Sequence, residues 1–579
     1  MIVLIISKAL GFLKMVMIGH LFGVSRQLDI FWAAFTIPDT IFNILVAGAI
    51  NSAIIPIFAT VLHKEGEKEM NLLYKRLNLI FLVSFVIFSI IVFIFAPNIG
   101  QALINSKSLN SYLGTTSTIQ AQDINLFVTL MRIMLLSPLL LGMSSLITSY
   151  LQVRKKFLVT ALSPLFYNLA MIVVSMIAVK VFHIGVIGVA ISVVVGSALH
   201  FLVQVPALIS FIKHPMDNKL VINIKTYLNK EVFAVFKLAL PRMIGLLGEQ
   251  VNTFINTIIS FTLSAGSLSA FKFAYSLHLF PVQIFTGAVS QVALSNFSEY
   301  SAKGESQKFE DSFNKSIKQT LFLILPVIAV LLVLRLPIVR LVYGFDSWWG
   351  TVITSWCLAL LTLSIFAQSI SMIVYRAFYA VHETKLPLIA TAVAIVVNLA
   401  ACYFMTNFFS HYLDWRPILT QVVTQVSHFD NVGLFAVIKS LGKDVITWMT
   451  TRNNSDAAVG GLAFATSISW FAEMLVALFL INKKVKIVTF VKTIKPLLPI
   501  FLNAVIMTFG MYFVFKLSDF SLDTSRTVYV IIVTILTLVY GALSFSLGCK
   551  LFKITEFDLM TKRAWEYIQP FYFKYFKKR

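Results

Sequence analysis

Long apolar runs separated by short polar turns dominate this sequence. Fourteen of them fall near 1–21, 28–60, 77–102, 123–150, 157–180, 184–212, 233–261, 265–300, 315–340, 347–380, 386–407, 458–482, 494–516 and 527–549. Each is close to or above the ~20 residues that a helix needs to cross ~30 Å of hydrocarbon. The pattern predicts an all-α polytopic membrane protein with about fourteen transmembrane helices. Prolines lie inside several runs, at Pro38, Pro138, Pro164, Pro241, Pro281 and Pro326. Neighbouring helices can satisfy the backbone groups that a proline frees, so these positions predict bends. The opening MIVLIISKALGFLKM has no small-residue cleavage site and reads as the first span, not as a signal peptide.

Composition agrees. Of 579 residues 58% are hydrophobic and 12% charged, with mean hydropathy +0.86; soluble domains carry about 25% charged residues. The net charge of +22 would suggest nucleic acid in a soluble chain, but here the charges stand in short loops. They report topology and contact with anionic headgroups instead, so anionic membrane lipids are expected partners and nucleic acid is not. Cys357, Cys402 and Cys549 lie in or beside apolar runs without CxxC spacing, which implies neither disulfides nor a zinc site.

Lysine and arginine are distributed unevenly. Connections after even-numbered spans, with the C-terminal tail, hold thirty, against eleven after odd-numbered spans. The positive-inside rule then places both termini of this multi-pass protein on the cytoplasmic side. The long connection 408–457 would face outward. The tail interleaves aromatics with Lys and Arg, the composition of an interfacial helix or, alternatively, of a protein-binding tail.

GAINSAIIPIF (Gly48 to Phe58) and GAVSQVALSNF (Gly287 to Phe297) form a faint repeat at the same end of spans two and eight. Parallel repeats of six helices, with substrate between them, are a known transporter plan. The expected division is an N-lobe at 1–212 and a C-lobe at 213–482 with the outward insertion 408–457. Helices 13 and 14 follow in 483–553, and the basic aromatic tail occupies 554–579.

Six basic residues remain inside the spans: Lys8, Lys14, Arg132, Lys237, Arg242 and Lys272. Lys237 is expected to snorkel to the inner surface. The acidic residues singled out within spans are Asp29, Asp39 and Glu249. A charge near mid-membrane costs at least ~2.5 kcal/mol on insertion scales and usually faces a watery cavity. An excess of cations there suits an anionic substrate bearing phosphate or carboxylate. Lys8 and Lys14, about 120° apart on a helix, either border such a cavity or snorkel. Asp29 is a cap or a partner for a first-span lysine, and Arg132 an anchor at a helix end. Glu249 could pair with a lysine, bind a cation or carry a proton, and His278 reads as a hydrogen-bonded packing residue. No P-loop, HExxH or paired-carboxylate motif occurs. A transporter without catalytic groups or cofactor is expected, driven by the membrane potential, a monovalent cation gradient or consumption of product.

The run SKALGFLKMVMIGHLFGVSRQLDIFWAAFTIPDTIFNILVAGAINSAIIPIF (Ser7 to Phe58) resembles the opening of the MurJ/MviN lipid II flippases. So do MRIMLLSPLLLGMSSLITSYLQVRKKF (131–157), LSPLFYNLAMI (162–172), LPRMIGLLGEQVNTFINTI (240–258), SLHLFPVQIFTGAVSQVALSNFS (276–298) and RAFYAVHETKLPL (376–388). This family sits within the multidrug/oligosaccharidyl-lipid/polysaccharide exporter superfamily. The resemblance implies two six-helix lobes around a cationic cavity and two C-terminal helices forming a lipid-side groove. It further implies location in the bacterial cytoplasmic (inner) membrane and a lipid-linked diphosphate substrate, undecaprenyl-diphosphate-linked muropeptide, flipped outward by alternating access for cell wall synthesis, with wall-synthesis proteins as partners.

Some positions depart from the family. Its first helix usually has two arginines, the second followed by aspartate, where this chain has Lys8, Lys14 and Met15. Lysine keeps the charge and loses the bidentate fork. Family arginines in the second and eighth helices align with Phe42 and Ser276; Lys272, one turn before Ser276, could restore the cation. The site expected to bind substrate is therefore Lys8, Lys14, Lys272, Ser276 and Arg242. Asp29, Asp39, Glu249, Arg132 and His278 are expected in ion pairing or coupling. Rival readings are export of another polyprenyl-linked glycan or a small molecule, and a non-transporting scaffold of the wall-synthesis machinery. A drug antiporter normally has twelve spans and an acidic cavity, and a scaffold gains nothing from buried lysines.

Overall fold

The computed structural model describes residues 2–44, 54–104, 121–212, 230–411, 455–485 and 493–562, with 420, 424, 443, 447–450 and 566. Among them every regular element is helical. Inside hydrocarbon a helix satisfies its own backbone, which is why apolar runs of this length fold in no other way. Eleven helical stretches among the described residues are long and apolar enough to cross a membrane. The first, second and seventh expected spans fall on helices adjoining or containing residues outside the described set. The insertion 408–457 and the tail 554–579 lie mostly outside it, as does Gly48 to Ala53 of the repeat.

The chain divides into two compact units. The first comprises Met1–Ala270, Phe345–Gly350 and Cys402–Leu462. It opens with α1 (Ile2–Phe22) and α2 (Arg26–Phe42), then α3 (Ile55–Lys64), α4 (Glu67–Ile104), α5 (Ala121–Met134) and α6 (Leu136–Val153). Helices α7 (Phe157–Lys180), α8 (Gly185–Leu202), α9 (Val205–Phe211) and α10 (Lys230–Phe261) follow. Gly23 at φ +56° ends α1, and the Ser25 side chain accepts the Leu28 N–H to start α2. This is a serine N-cap. Helix α1 packs on α7, α7 on α8, and α2 on α5.

The second unit comprises Phe271–Gly344, Thr351–Ala401 and Ala463–Arg579. Its boundary runs through α11 (Ser267–Pro281), which continues through a π turn at Val282–Thr286 into α12 (Gly287–Ala302). Pro281 lacks the N–H that the regular ladder needs, and a widened turn is a recognised response inside a helix. Next come α13 (Ser306–Val333), α14 (Arg335–Tyr343), α15 (Trp348–Ala380), α16 (Lys385–Ser410), α17 (Ala458–Val485), α18 (Leu498–Ser521) and α19 (Thr527–Leu551), the boundary also crossing α15, α16 and α17, whose residues 348–350, 402–410 and 458–462 belong to the first unit. The single span expected near 315–340 is thus broken at Leu334 into α13 and α14. Arg340 of α14 donates to the carbonyls of Thr524 (2.6 Å) and Ser525 (2.5 Å), tying α14 to the turn before α19. A core of Phe297, Phe309, Phe313, Ile317 and Leu321 binds α12 to α13.

Small residues set the close approaches. A Cβ at Gly461 of α17 would lie 2.2 Å from the Met405 carbonyl oxygen of α16, so α17 passes directly over neighbouring backbone. Membrane helices commonly use glycine in this way, because packing replaces the hydrophobic drive that water supplies elsewhere. The large apolar side chains left on the surface, such as Phe509, Phe513 and Leu547, suit contact with lipid.

Candidate functional site

In the first unit, α1 carries the two lysines of interest on different faces. Lys8 is exposed, whereas Lys14 is half-buried. The Lys14 Nζ lies 5.4 Å from the centre of the Tyr167 ring of α7, within cation–π range. Asp39 of α2 acts electrostatically on both Lys14 and Tyr167 and accepts a 3.0 Å hydrogen bond from Asn43 Nδ2. Pro38 precedes Asp39 within α2. Asn168, next to Tyr167, donates to the Ser7 carbonyl (3.2 Å) and fixes α7 against α1. Lys14, Asp39, Asn43 and Tyr167 thus form one polar group on three helices.

Behind Tyr167 the polar contacts continue. The His200 ring meets Tyr167 edge-on at 6.5 Å, and its Nδ1 lies 2.6 Å from Ser144 Oγ. Gln204 donates to Ser144 Oγ (2.7 Å) and accepts from Thr148 (2.9 Å). In a hydrocarbon setting such a network is costly unless satisfied, and this one is largely satisfied internally.

Asp29 is buried at 1% exposure. Its carboxylate accepts from Gly266 N (2.6 Å), Ser269 N (2.7 Å) and Ser269 Oγ (2.6 Å). These donors are the first N–H groups of α11 and the turn before it, where orphan amides and the helix dipole favour an anion. Asp29 is therefore a cap, but of a helix far along the chain; its own helix is capped by Ser25. Gly266 takes φ +90°, and a Cβ there would come within 2.5 Å of Val24 Cγ1. Arg26 beside it pairs with Asp123 (3.4 Å) and covers the Phe261 ring at 4.2 Å. Arg132 lies over the Phe93 ring at 4.4 Å and donates to the Phe93 carbonyl (3.3 Å), which ties α5 to α4.

In the second unit, Lys272 and Ser276 are half-buried one turn apart on α11. Tyr343 hydrogen-bonds the Phe273 carbonyl at 2.8 Å, holding α14 to that stretch of α11. His278 is fully buried, with Nε2 2.9 Å from Ser364 Oγ of α15. Phe42 of the first unit, at the position of a family arginine, is half-buried at the end of α2. The side chains of Arg242 and Glu249 on α10 lie outside the described residues.

Glu473 of α17 escaped the sequence reading. It is buried at 6% exposure, and its Oε1 accepts from Tyr375 OH of α15 and from Thr391 Oγ1 of α16 (3.1 Å). The signal was present: a lone carboxylate well inside a 28-residue apolar helix is by default a functional candidate. Among the described residues no group of three or more His, Cys, Asp or Glu side chains is placed to hold a metal ion.

Residues 18–413 match the family model described as "Lipid II flippase MurJ". A Buchnera aphidicola (subsp. Acyrthosiphon pisum) protein described as "Probable lipid II flippase MurJ" is 26% identical over 409 residues, covering 70% of this chain and 77% of that protein. The solved structure "Lipid II flippase MurJ, inward closed conformation" superposes with TM-score 0.67 at 23% identity, covering 95% of this chain and 98% of that one. An inward-facing multidrug resistance MATE family transporter of the MOP superfamily superposes with TM-score 0.61 at 13% identity, covering 83% and 94%. At these identities the two structures speak for the fold.

Proposed function

Because this chain belongs to the lipid II flippase MurJ family, with the match running from residue 18 to 413, we propose that it flips lipid II. The cargo is the lipid-linked diphosphate precursor of peptidoglycan, carried from the cytoplasmic to the outer leaflet by alternating access. The family match carries this reading, and half-buried Lys14 with Asp39 and Tyr167 is the local chemistry that fits it. Lysine offers a point charge to a diphosphate, and the Tyr167 ring keeps the ammonium partly desolvated, where its charge acts more strongly. Asp39 supplies a counter-charge while no substrate is bound, so phosphate competes for Lys14 with a carboxylate instead of meeting a bare cation. Lys272 on α11 gives the second unit a cation of the same kind.

In this reading the chain has fourteen spans, two six-helix lobes and two C-terminal helices that hold the polyprenyl tail. It sits in the bacterial cytoplasmic membrane with both termini inside, its loop lysines meeting anionic lipids and wall-synthesis proteins docking nearby. Coupling uses the membrane potential or a monovalent cation. Single cysteines at positions 303 and 430 should label from opposite sides of the membrane; labelling from one side would reject this topology.

The functional test is complementation of a conditional lipid II flippase depletion strain, with outer-leaflet lipid II measured directly. Growth with restored outer-leaflet lipid II is expected. Stable membrane expression with no lipid II at the outer leaflet would transfer the reading to another polyprenyl-linked cargo.

A further inference from the structure

Helix α15 of the second unit carries a polar file, buried at Ser364 and Ser371 and half-buried at Gln368 and Tyr375. Ser364, Gln368, Ser371 and Tyr375 are spaced i, i+4, i+7 and i+11, which puts them on one face. From Ser364 to Tyr375 the file rises by eleven residue steps, about 16 Å of helix. At one end Ser364 meets His278 Nε2 of α11 at 2.9 Å. At the other, Tyr375 OH donates to Glu473 of α17, beside Thr391 of α16. Between them, Gln368 Oε1 and Ser371 Oγ are buried without any hydrogen-bond partner, and Ser371 is 1% exposed. Leaving such an atom unsatisfied is costly, and buried polar atoms of this kind normally take up ordered water.

We propose that Glu473 is a proton-binding site of the second unit, approached by water along this file. The chemistry is a single exchange: the carboxylate takes one proton to become the neutral acid and later returns it. Its neighbours suit both forms. The hydroxyls of Tyr375 and Thr391 donate to the anion, and either can rotate to accept from the O–H of the acid. Tyr375 of α15 is a titratable group in direct contact with the carboxyl, Tyr379 acts electrostatically on Tyr375, and His278, packed against Tyr275 at 5.3 Å, stands at the far end of the file. The site stands on the second unit's own side chains and goes beyond the identity of the cargo.

A hydrophobic carbodiimide, which reacts with protonated carboxyls from the lipid phase, tests the site directly. The full-length chain is reconstituted in liposomes free of lipid-linked substrate and treated with dicyclohexylcarbodiimide between pH 6 and pH 9. The Glu473 peptide is then quantified by mass spectrometry. The adduct should fall at least fivefold across this range, be unaffected by 100 mM NaCl, and be absent in Glu473→Gln. The Gln side chain keeps an oxygen for both hydroxyls, and a melting curve checks that this variant is folded. An adduct independent of pH, or none at any pH in the folded protein, would overturn the proposal. Protection by sodium would overturn it too, because the carboxylate would then be a sodium ligand. Since no cargo is present, the outcome is independent of the flippase assay.

Discussion

Replacing Lys14 and Lys272 together with alanine should abolish flipping while the protein stays in the membrane. A diphosphate held by unit charges gains about 4 kcal/mol per close pair at an effective dielectric near 20. Desolvation offsets part of this, and a net loss near 2.7 kcal/mol still corresponds to a hundredfold weaker complex, at 1.4 kcal/mol per tenfold. Lys14→Arg and Lys272→Arg should retain flipping, since charge is what lysine supplies here and arginine only adds a fork. Lys272→Glu should be inactive. Ser276→Arg should partly restore Lys272→Ala, because the two positions lie one turn apart on α11. The readout is growth of the depletion strain together with outer-leaflet lipid II at matched protein level. Full activity of the double alanine variant would mean that substrate phosphates are not held through these lysines.

What the sequence disclosed follows from how local each signal is. Apolar runs are local, so most of the described helices were legible, and the break at Leu334 was missed although Arg335 and Pro337, a helix-start signal, stand directly after it. The second unit's polar contacts were harder. Glu473 is diluted by aromatics and aliphatics in GLAFATSISWFAEMLVALFL, and its partners Tyr375 and Thr391 come from two other helices. Lys14 and Asp39 were both picked out, but their electrostatic contact depends on how α1, α2 and α7 pack, which no spacing rule encodes. The unit boundary within α11 lies inside a continuous apolar run, where composition does not change.

Asp29 shows the same limit most plainly, and it yields the second large effect. Position 29 at the start of a helix reads as a local cap or an ion-pair partner, but its donors are Gly266 and Ser269, more than 230 residues away. Asp29→Ala would leave two buried N–H groups without an acceptor, at roughly 1–3 kcal/mol each for neutral donors, and the Ser269 hydroxyl with only the Ser25 carbonyl at 3.3 Å. It would also remove a negative charge from the start of α11, a contribution of up to ~2 kcal/mol when partly buried. Complementation should therefore be lost and the melting temperature in detergent clearly lowered. Asp29→Asn should fall between wild type and Asp29→Ala, since one oxygen still accepts while the amide nitrogen faces a donor. Ser269→Ala should be mildest, because it removes one donor and leaves both backbone bonds. Gly266→Val should resemble Asp29→Ala by another route: φ +90° is strained for valine, and Val24 already occupies the space. The order Ala, Asn, Ser269→Ala is what separates a cap from a catalytic or ion-carrying carboxylate. If Asp29→Asn were as damaging as Asp29→Ala in activity while melting like the wild type, the carboxylate would be acting through its charge in transport and not through the start of α11.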